Sequence, residues 1–187
     1  MFKFRKMAAA AAVLATMLCG CTQSNIVSPT QESVVQGDGQ PDLDVDKEME
    51  IDWVEVREDL REMFFEPYGE FGDYVLDLDA RYDAETGELA VLLPVTGDPT
   101  GEIASRYAQA VLKTIGNSVA TQNFYYTAPQ TDEIDTDYGS FFEEHDVLVQ
   151  VFPYDKEGEE SEYIINDLIK AGDARAPSLR NSKETRI

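Results

Sequence analysis

Cysteine is nearly missing from this chain of 187 residues: Cys19 and Cys21 are the only two, and both fall within the first 21 positions. Everything after them is therefore without disulfides of its own and without a cysteine-based metal site. Histidine is scarcer still, with His145 alone. One imidazole cannot build a His-rich zinc site, and a serine or cysteine nucleophile that needs a histidine base has a single candidate for it. No Gly-x-Ser-x-Gly elbow, phosphate-cradling glycine loop or dinucleotide fingerprint occurs. Long apolar runs are missing too. The longest, 7–18, is broken only by Thr16 and covers 12 residues, which as a helix reach roughly 18 Å against the ~30 Å of a hydrocarbon core. That is too short for a lasting transmembrane helix.

What the first residues do contain is an export signal. Lys3, Arg5 and Lys6 precede the apolar run, as the charged and hydrophobic regions of such a signal require. The run ends in Leu18-Cys19-Gly20-Cys21. This stretch closely resembles the lipobox of bacterial prolipoproteins, with Leu at minus three, Gly at minus one and Cys at plus one; Cys19 at minus two departs from the commonest pattern. The resemblance implies cleavage between Gly20 and Cys21 and a diacylated or triacylated Cys21. Taking Cys19 as the modified residue would put the bulky Leu18 at the cut. Two or more acyl chains hold a protein stably at a bilayer where one is marginal. The expected location is extracytoplasmic, anchored to the bacterial membrane through the lipidated cysteine, and Thr22 rather than Asp at plus two leaves outer-membrane sorting open.

Positive charge is the last shortage. The chain carries 15 basic and 37 acidic residues, net -22. Three of the basic residues and none of the acidic ones lie before Cys21, so the remainder has 12 basic to 37 acidic, net -25. Such a chain repels phosphate backbones and anionic headgroups, which excludes nucleic acid as a partner and favours cations or cationic partners. At the same time 43% of residues are apolar, with 9 Tyr and 9 Phe, enough for a packed core.

The organisation predicted is a signal peptide (1–20), a lipidated, flexible acidic tether (21–49), one α+β domain (50–172) and a disordered tail (173–187). Tether residues are mostly Gln, Ser, Thr, Asn, Gly and Asp without helical or strand period; as a coil they span roughly 30 Å. Asp42, Asp44 and Asp46 resemble the start of an EF-hand loop, but Lys47 stands where the turn glycine belongs and Trp53 where the bidentate Glu should be.

Within the domain, Trp53, Val56, Leu60, Met63 and Phe64 fall on one helical face over about 51–65, with Asp52 as N-cap. Leu76, Leu78, Ala80 and Tyr82 alternate with polar residues, Gly87 closes a turn, and Leu89–Val95 returns, apolar on both sides: a hairpin with its second strand inside the sheet. Ile103, Tyr107, Val111, Ile115 and Val119 predict a helix of about 18 residues capped by Thr100, with Gly116 a weakness costing about 1 kcal/mol against alanine. The run 124–126 reads as a short strand, Val147–Phe152 as a clear one ended by Pro153, and 163–169 as a strand or helix, the Gly-containing turn before it favouring a strand. The fold class expected is α+β, an antiparallel or mixed sheet of four to five strands with two helices on one face.

The longest unpatterned connection, 128–144, holds Asp132, Asp135, Asp137, Tyr138, Phe141 and Phe142, and long loops carry function disproportionately. These six are the candidate binding residues, the acids for a cation or basic partner and the aromatics for a sugar or peptide; the structural alternative is a loop whose aromatics tuck under it. No catalytic residue, metal site or cofactor is assigned. The functional expectation is a non-catalytic domain binding a protein, peptide or envelope component through its sheet face or the 128–144 loop. Its alternatives are a calcium-responsive structural module, suggested by the acid clusters, and a small envelope hydrolase using His145 or a carboxylate pair.

Overall fold

Asp52 starts the first helix by accepting from the amides of Val54 (2.8 Å) and Glu55 (3.3 Å), donors that have no partner within the helix. In the computed structural model, which describes residues 47, 49–66 and 69–180, this helix, α1, runs Trp53–Phe64. The leader, Cys21 and nearly all of the tether, with Asp42, Asp44 and Asp46, lie outside the described residues. Val56, Leu60 and Phe64, spaced by four, are buried. Met63 departs from the expectation and is exposed, because it sits at the flank of that stripe rather than on its centre.

Strands Asp79–Asp83 (β1) and Glu88–Val95 (β2) form the expected antiparallel hairpin, Tyr82 opposite Leu89. Gly87 makes the turn at a φ of 71°, where a side chain would be strained. Leu76 falls outside β1 and is exposed. Helix α2 spans Gly101–Gln122, longer than predicted, and the Thr100 hydroxyl caps it on the Ile103 amide at 3.3 Å. It is the crossover that a parallel strand pair needs: Asp146–Pro153 (β3) lies parallel to β2, from Glu88 opposite Asp146 to Val95 opposite Pro153. Ile165–Ile169 (β4) then pairs antiparallel with β3, so the ambiguous segment is a strand. The sheet order is β1-β2-β3-β4, mixed, with two long helices and a single turn, α3 (Phe141–Glu144). This is an α+β fold.

One cluster joins the helices to the sheet: Val56 and Leu60 of α1 and Val111 and Ile115 of α2 pack with Leu89, Val91, Val147 and Val149. The other face of the sheet is half-exposed along Ala90, Leu92, Leu148 and Gln150. Thus β2 is central in the sheet, as expected, but covered on one side only.

Residues 124–126 are not a strand. The Asn123 side chain accepts from the Tyr125 amide (2.9 Å) and its carbonyl accepts from the Tyr126 amide (3.1 Å), so the chain turns at the end of α2 despite its strand-forming aromatics. The tail is not disordered over 173–180 either. Leu179 bridges Ile165, the Arg180 amide donates to the Ile164 carbonyl at 2.9 Å, and the Arg175 guanidinium grips Asp167 through Nη1 (2.5 Å) and Nη2 (3.1 Å). Burial pushes the Asp167 carboxyl up, but Arg175 and the Ser178 amide more than offset this and hold it below the usual carboxylate range. One charge pair and one bridge leave no periodicity to read. Residues 181–187 lie outside the described residues.

Tyr107, on α2, is 1% exposed among Phe64 and Phe71, and its hydroxyl has no hydrogen-bond partner among the described residues. Desolvation pushes the phenol well above its ordinary range. Removing an unpartnered buried hydroxyl relieves its desolvation penalty, so Tyr107→Phe should stabilise the domain by about 1 kcal/mol in urea unfolding; a loss of stability would mean that the hydroxyl has a partner in solution.

Candidate functional site

The loop 128–140 is folded by its own acids. Asp135 Oδ1 accepts from the Asp137 amide (3.1 Å) and Oδ2 from the Thr131 hydroxyl (2.9 Å), while Asp137 accepts from the amides of Gln130 (2.7 Å) and Gly139 (3.1 Å). Lys113, 5% exposed on α2, reaches out to the Glu133 carbonyl (2.5 Å), Thr131 (3.1 Å) and Asp135 Oδ1 (2.6 Å), tying the loop to the helix. The Lys113 hydrogen bond is the first of the causes that lower the Asp135 carboxyl. Asp132 is exposed.

Gly139, at a φ of 88°, reverses the chain, and a Cβ there would come within 2.7 Å of the Thr127 carbonyl oxygen. The reversal sends Phe141 and Phe142 of α3 inward and leaves Glu143 and Glu144 exposed. Tyr138 (4% exposed), Phe141 (2%) and Phe142 (8%) therefore belong to the core. The loop edges a cleft of about 230 Å³ through Asp137, Tyr138, Phe142 and Glu143, but its aromatics present little surface there. Among the described residues no group of three or more His, Cys, Asp or Glu side chains is placed to hold a metal.

Chemistry converges instead one step along the chain, at His145, in a second cleft of about 240 Å³. The register that sets Glu88 opposite Asp146 also brings the hairpin turn against the residue before β3. As a result His145 Nδ1 lies 3.2 Å from the Gly87 carbonyl and 3.3 Å from the Tyr82 hydroxyl, and Nε2 lies 3.3 Å from the Tyr126 hydroxyl. A carbonyl only accepts, so in the neutral ring Nδ1 carries the proton and Nε2 accepts from Tyr126; the tautomer is assigned from these partners. The imidazole stacks on Phe141 at 4.3 Å between ring centres. Trp53 stacks on Tyr82 at 5.2 Å and meets Phe141 at 5.7 Å, completing an aromatic wall contributed by α1, β1, the 123–126 turn and α3. Burial, then Asp83, raises the Tyr82 phenol; burial, then Glu144, raises that of Tyr126. Both remain protonated at neutral pH; Tyr126 donates to Nε2, whereas the Tyr82 hydroxyl faces the protonated Nδ1 as an acceptor.

The opposite rim is formed by Lys47, Met49, Glu50 and Ile51. Lys47 Nζ lies 2.7 Å from Glu144 Oε2, and the Tyr125 hydroxyl donates to Oε1 at 2.8 Å. These two hydrogen bonds, the one from Lys47 first, hold the Glu144 carboxyl below its ordinary range. The segment is fixed by Asn123, which donates to the Met49 carbonyl at 3.1 Å, and by Gln122, which accepts from the Asp52 amide at 2.7 Å.

Of the six loop residues singled out from the sequence, only Phe141 reaches this cleft, as its floor. Trp53, which the helical period places on the core stripe, is half-buried at the cleft wall; Tyr82, Tyr125 and Tyr126 carry no signal in the sequence, since nothing local links β1, the turn after α2 and the end of α3. The uniqueness of His145 was the one usable clue. No protein-family model matches the chain, and neither a curated protein nor a solved structure shows significant similarity to it.

Proposed function

We propose that this protein is a lipid-anchored extracytoplasmic binding domain, held at a bacterial membrane through Cys21, which captures a protein, peptide or envelope component in the cleft at His145 and performs no chemistry on it. The observation that carries the reading is the convergence of Trp53, Tyr82, Tyr126, Phe141 and His145 on one concave surface beside the tether. Sites of this kind, apolar walls with a few oriented polar groups, are the usual form of a ligand pocket. His145 has partners on both ring nitrogens, two phenols and a carbonyl, which suits a group that shapes a pocket better than one that abstracts a proton. The lipobox resemblance and the acidic spacer supply the location.

The test is site-specific crosslinking in cells that make the full chain. A photoreactive residue in place of Ala84, an exposed position on the cleft wall, should capture a product that the same group at Glu157, beyond the opposite end of β3, does not. Identical products at both positions, or none at Ala84, would remove the cleft as the capture surface.

A further inference from the structure

One basic side chain already occupies the rim of the cleft. Lys47 pairs with Glu144 at 2.7 Å and its ammonium stands 5.0 Å from the centre of the Tyr125 ring, within cation–π range. The Tyr125 hydroxyl meanwhile holds the other carboxylate oxygen at 2.8 Å, so one tyrosine supplies both the ring face and the orientation of the anion. A fixed carboxylate beside an aromatic face is the arrangement that recognises an ammonium or guanidinium group. The occupant itself is loosely held. The Lys47 side chain is 56% exposed and that of Glu144 34%, and contacts between exposed ions contribute little. Glu50 adds a second carboxylate to the same wall, and Trp53 and Tyr82 continue the cleft inward. The long-range field agrees, since a chain of net charge -25 beyond its leader draws in cationic partners and repels anionic ones.

We infer that the Glu144–Tyr125 pair is a seat for a lysine or arginine side chain of an extended basic peptide segment in the partner, and that Lys47 fills this seat in cis until the partner displaces it. The inference rests on the reading of the cleft as the capture surface and adds the chemical class of what is captured. Trp53 is the only tryptophan of the chain and lies in the cleft, so its emission reports on this site alone.

The experiment titrates the full chain in detergent with the peptide acetyl-(Lys-Gly)4-amide while following Trp53 emission, with the Ser-Gly and Glu-Gly counterparts as comparisons. The lysine peptide should shift the emission saturably and the glutamate peptide should not. Lys47→Ala removes the competitor and should tighten apparent binding about fivefold, since an occupied seat lowers apparent affinity by the fraction of it left free. Glu144→Gln should weaken it about tenfold, while Glu157→Gln with Glu159→Gln, far from the cleft, leaves it within about twofold. Any of three results overturns the inference: no response to the lysine peptide, no gain from Lys47→Ala, or equal losses from Glu144→Gln and the distant pair. A Ser-Gly response as strong as the lysine one would also overturn it while leaving the cleft a binding surface. Failure of the Ala84 crosslink with a normal lysine titration would instead count against the proposed function.

Discussion

Gly116→Ala is expected to lower the stability of the domain by about 3 kcal/mol, with a melting temperature down by on the order of 10 °C. Helix propensity predicts the opposite sign, a gain of about 1 kcal/mol for replacing a mid-helix glycine. Packing decides the matter. A Cβ at Gly116 would stand 1.8 Å from the Tyr138 carbonyl oxygen and 3.0 Å from its carbon, both backbone atoms. Neither can swing aside as a side-chain tip would, so α2 and the loop it supports must separate. The same contact seats Tyr138 in the core, and the Lys113 hydrogen bonds to Thr131, Glu133 and Asp135 lie about one helical turn away on α2. Loosening one loosens the other. Thermal melts of the two proteins give the answer directly: a variant as stable as the parent or more so would mean that the loop does not approach α2 in solution.

Phe141→Ala should cost about 4 kcal/mol, in the range for truncating a fully buried phenylalanine. Phe141 contacts His145 (4.3 Å between ring centres), Tyr126 (5.3 Å), Phe142 (5.4 Å), Trp53 (5.7 Å) and Tyr82 (6.0 Å), so it is the piece common to the cleft wall and the core. Its removal leaves a cavity behind the ring of Trp53, and tryptophan emission should move to longer wavelength even under conditions where the variant stays folded. A surface-gripping residue would behave otherwise, with stability within about 0.5 kcal/mol of the parent and unchanged emission. Chemical denaturation followed by fluorescence separates the two cases.

These two positions mark the limit of what the sequence discloses. The hairpin, α1, α2 and the β-branched strand β3 were legible because each repeats an apolar residue at a fixed period and ends at a cap or turn residue: Asp52, Thr100, Gly87 and Pro153. Gly116 read as a local weakness because a helical period says nothing of the carbonyl that crosses it. Phe124-Tyr125-Tyr126 read as a strand because its side chains favour one, whereas Asn123 takes the hydrogen bonds a strand would have used. In the loop 128–144 the alternation of acids and aromatics was visible, but not its meaning. The acids Asp135 and Asp137 fold the loop and hold it to Lys113, and the aromatics Tyr138, Phe141 and Phe142 pack beneath it. The cleft was the least legible feature. It depends on the parallel register of β2 and β3, which places Gly87 beside His145, and on contacts between segments far apart in the chain.

The proposed placement of the domain outside the cytoplasm, and with it the proposed role of a tethered binder, rests on the modification of one thiol. The most direct measurement is the intact mass of the native protein extracted from membranes, with sequencing from its first residue. The expected result is a chain that begins at Cys21 and carries the added mass of two or three acyl chains on that residue. A chain that retains residues 1–20, or one that begins at Cys21 with an unmodified thiol, would contradict it.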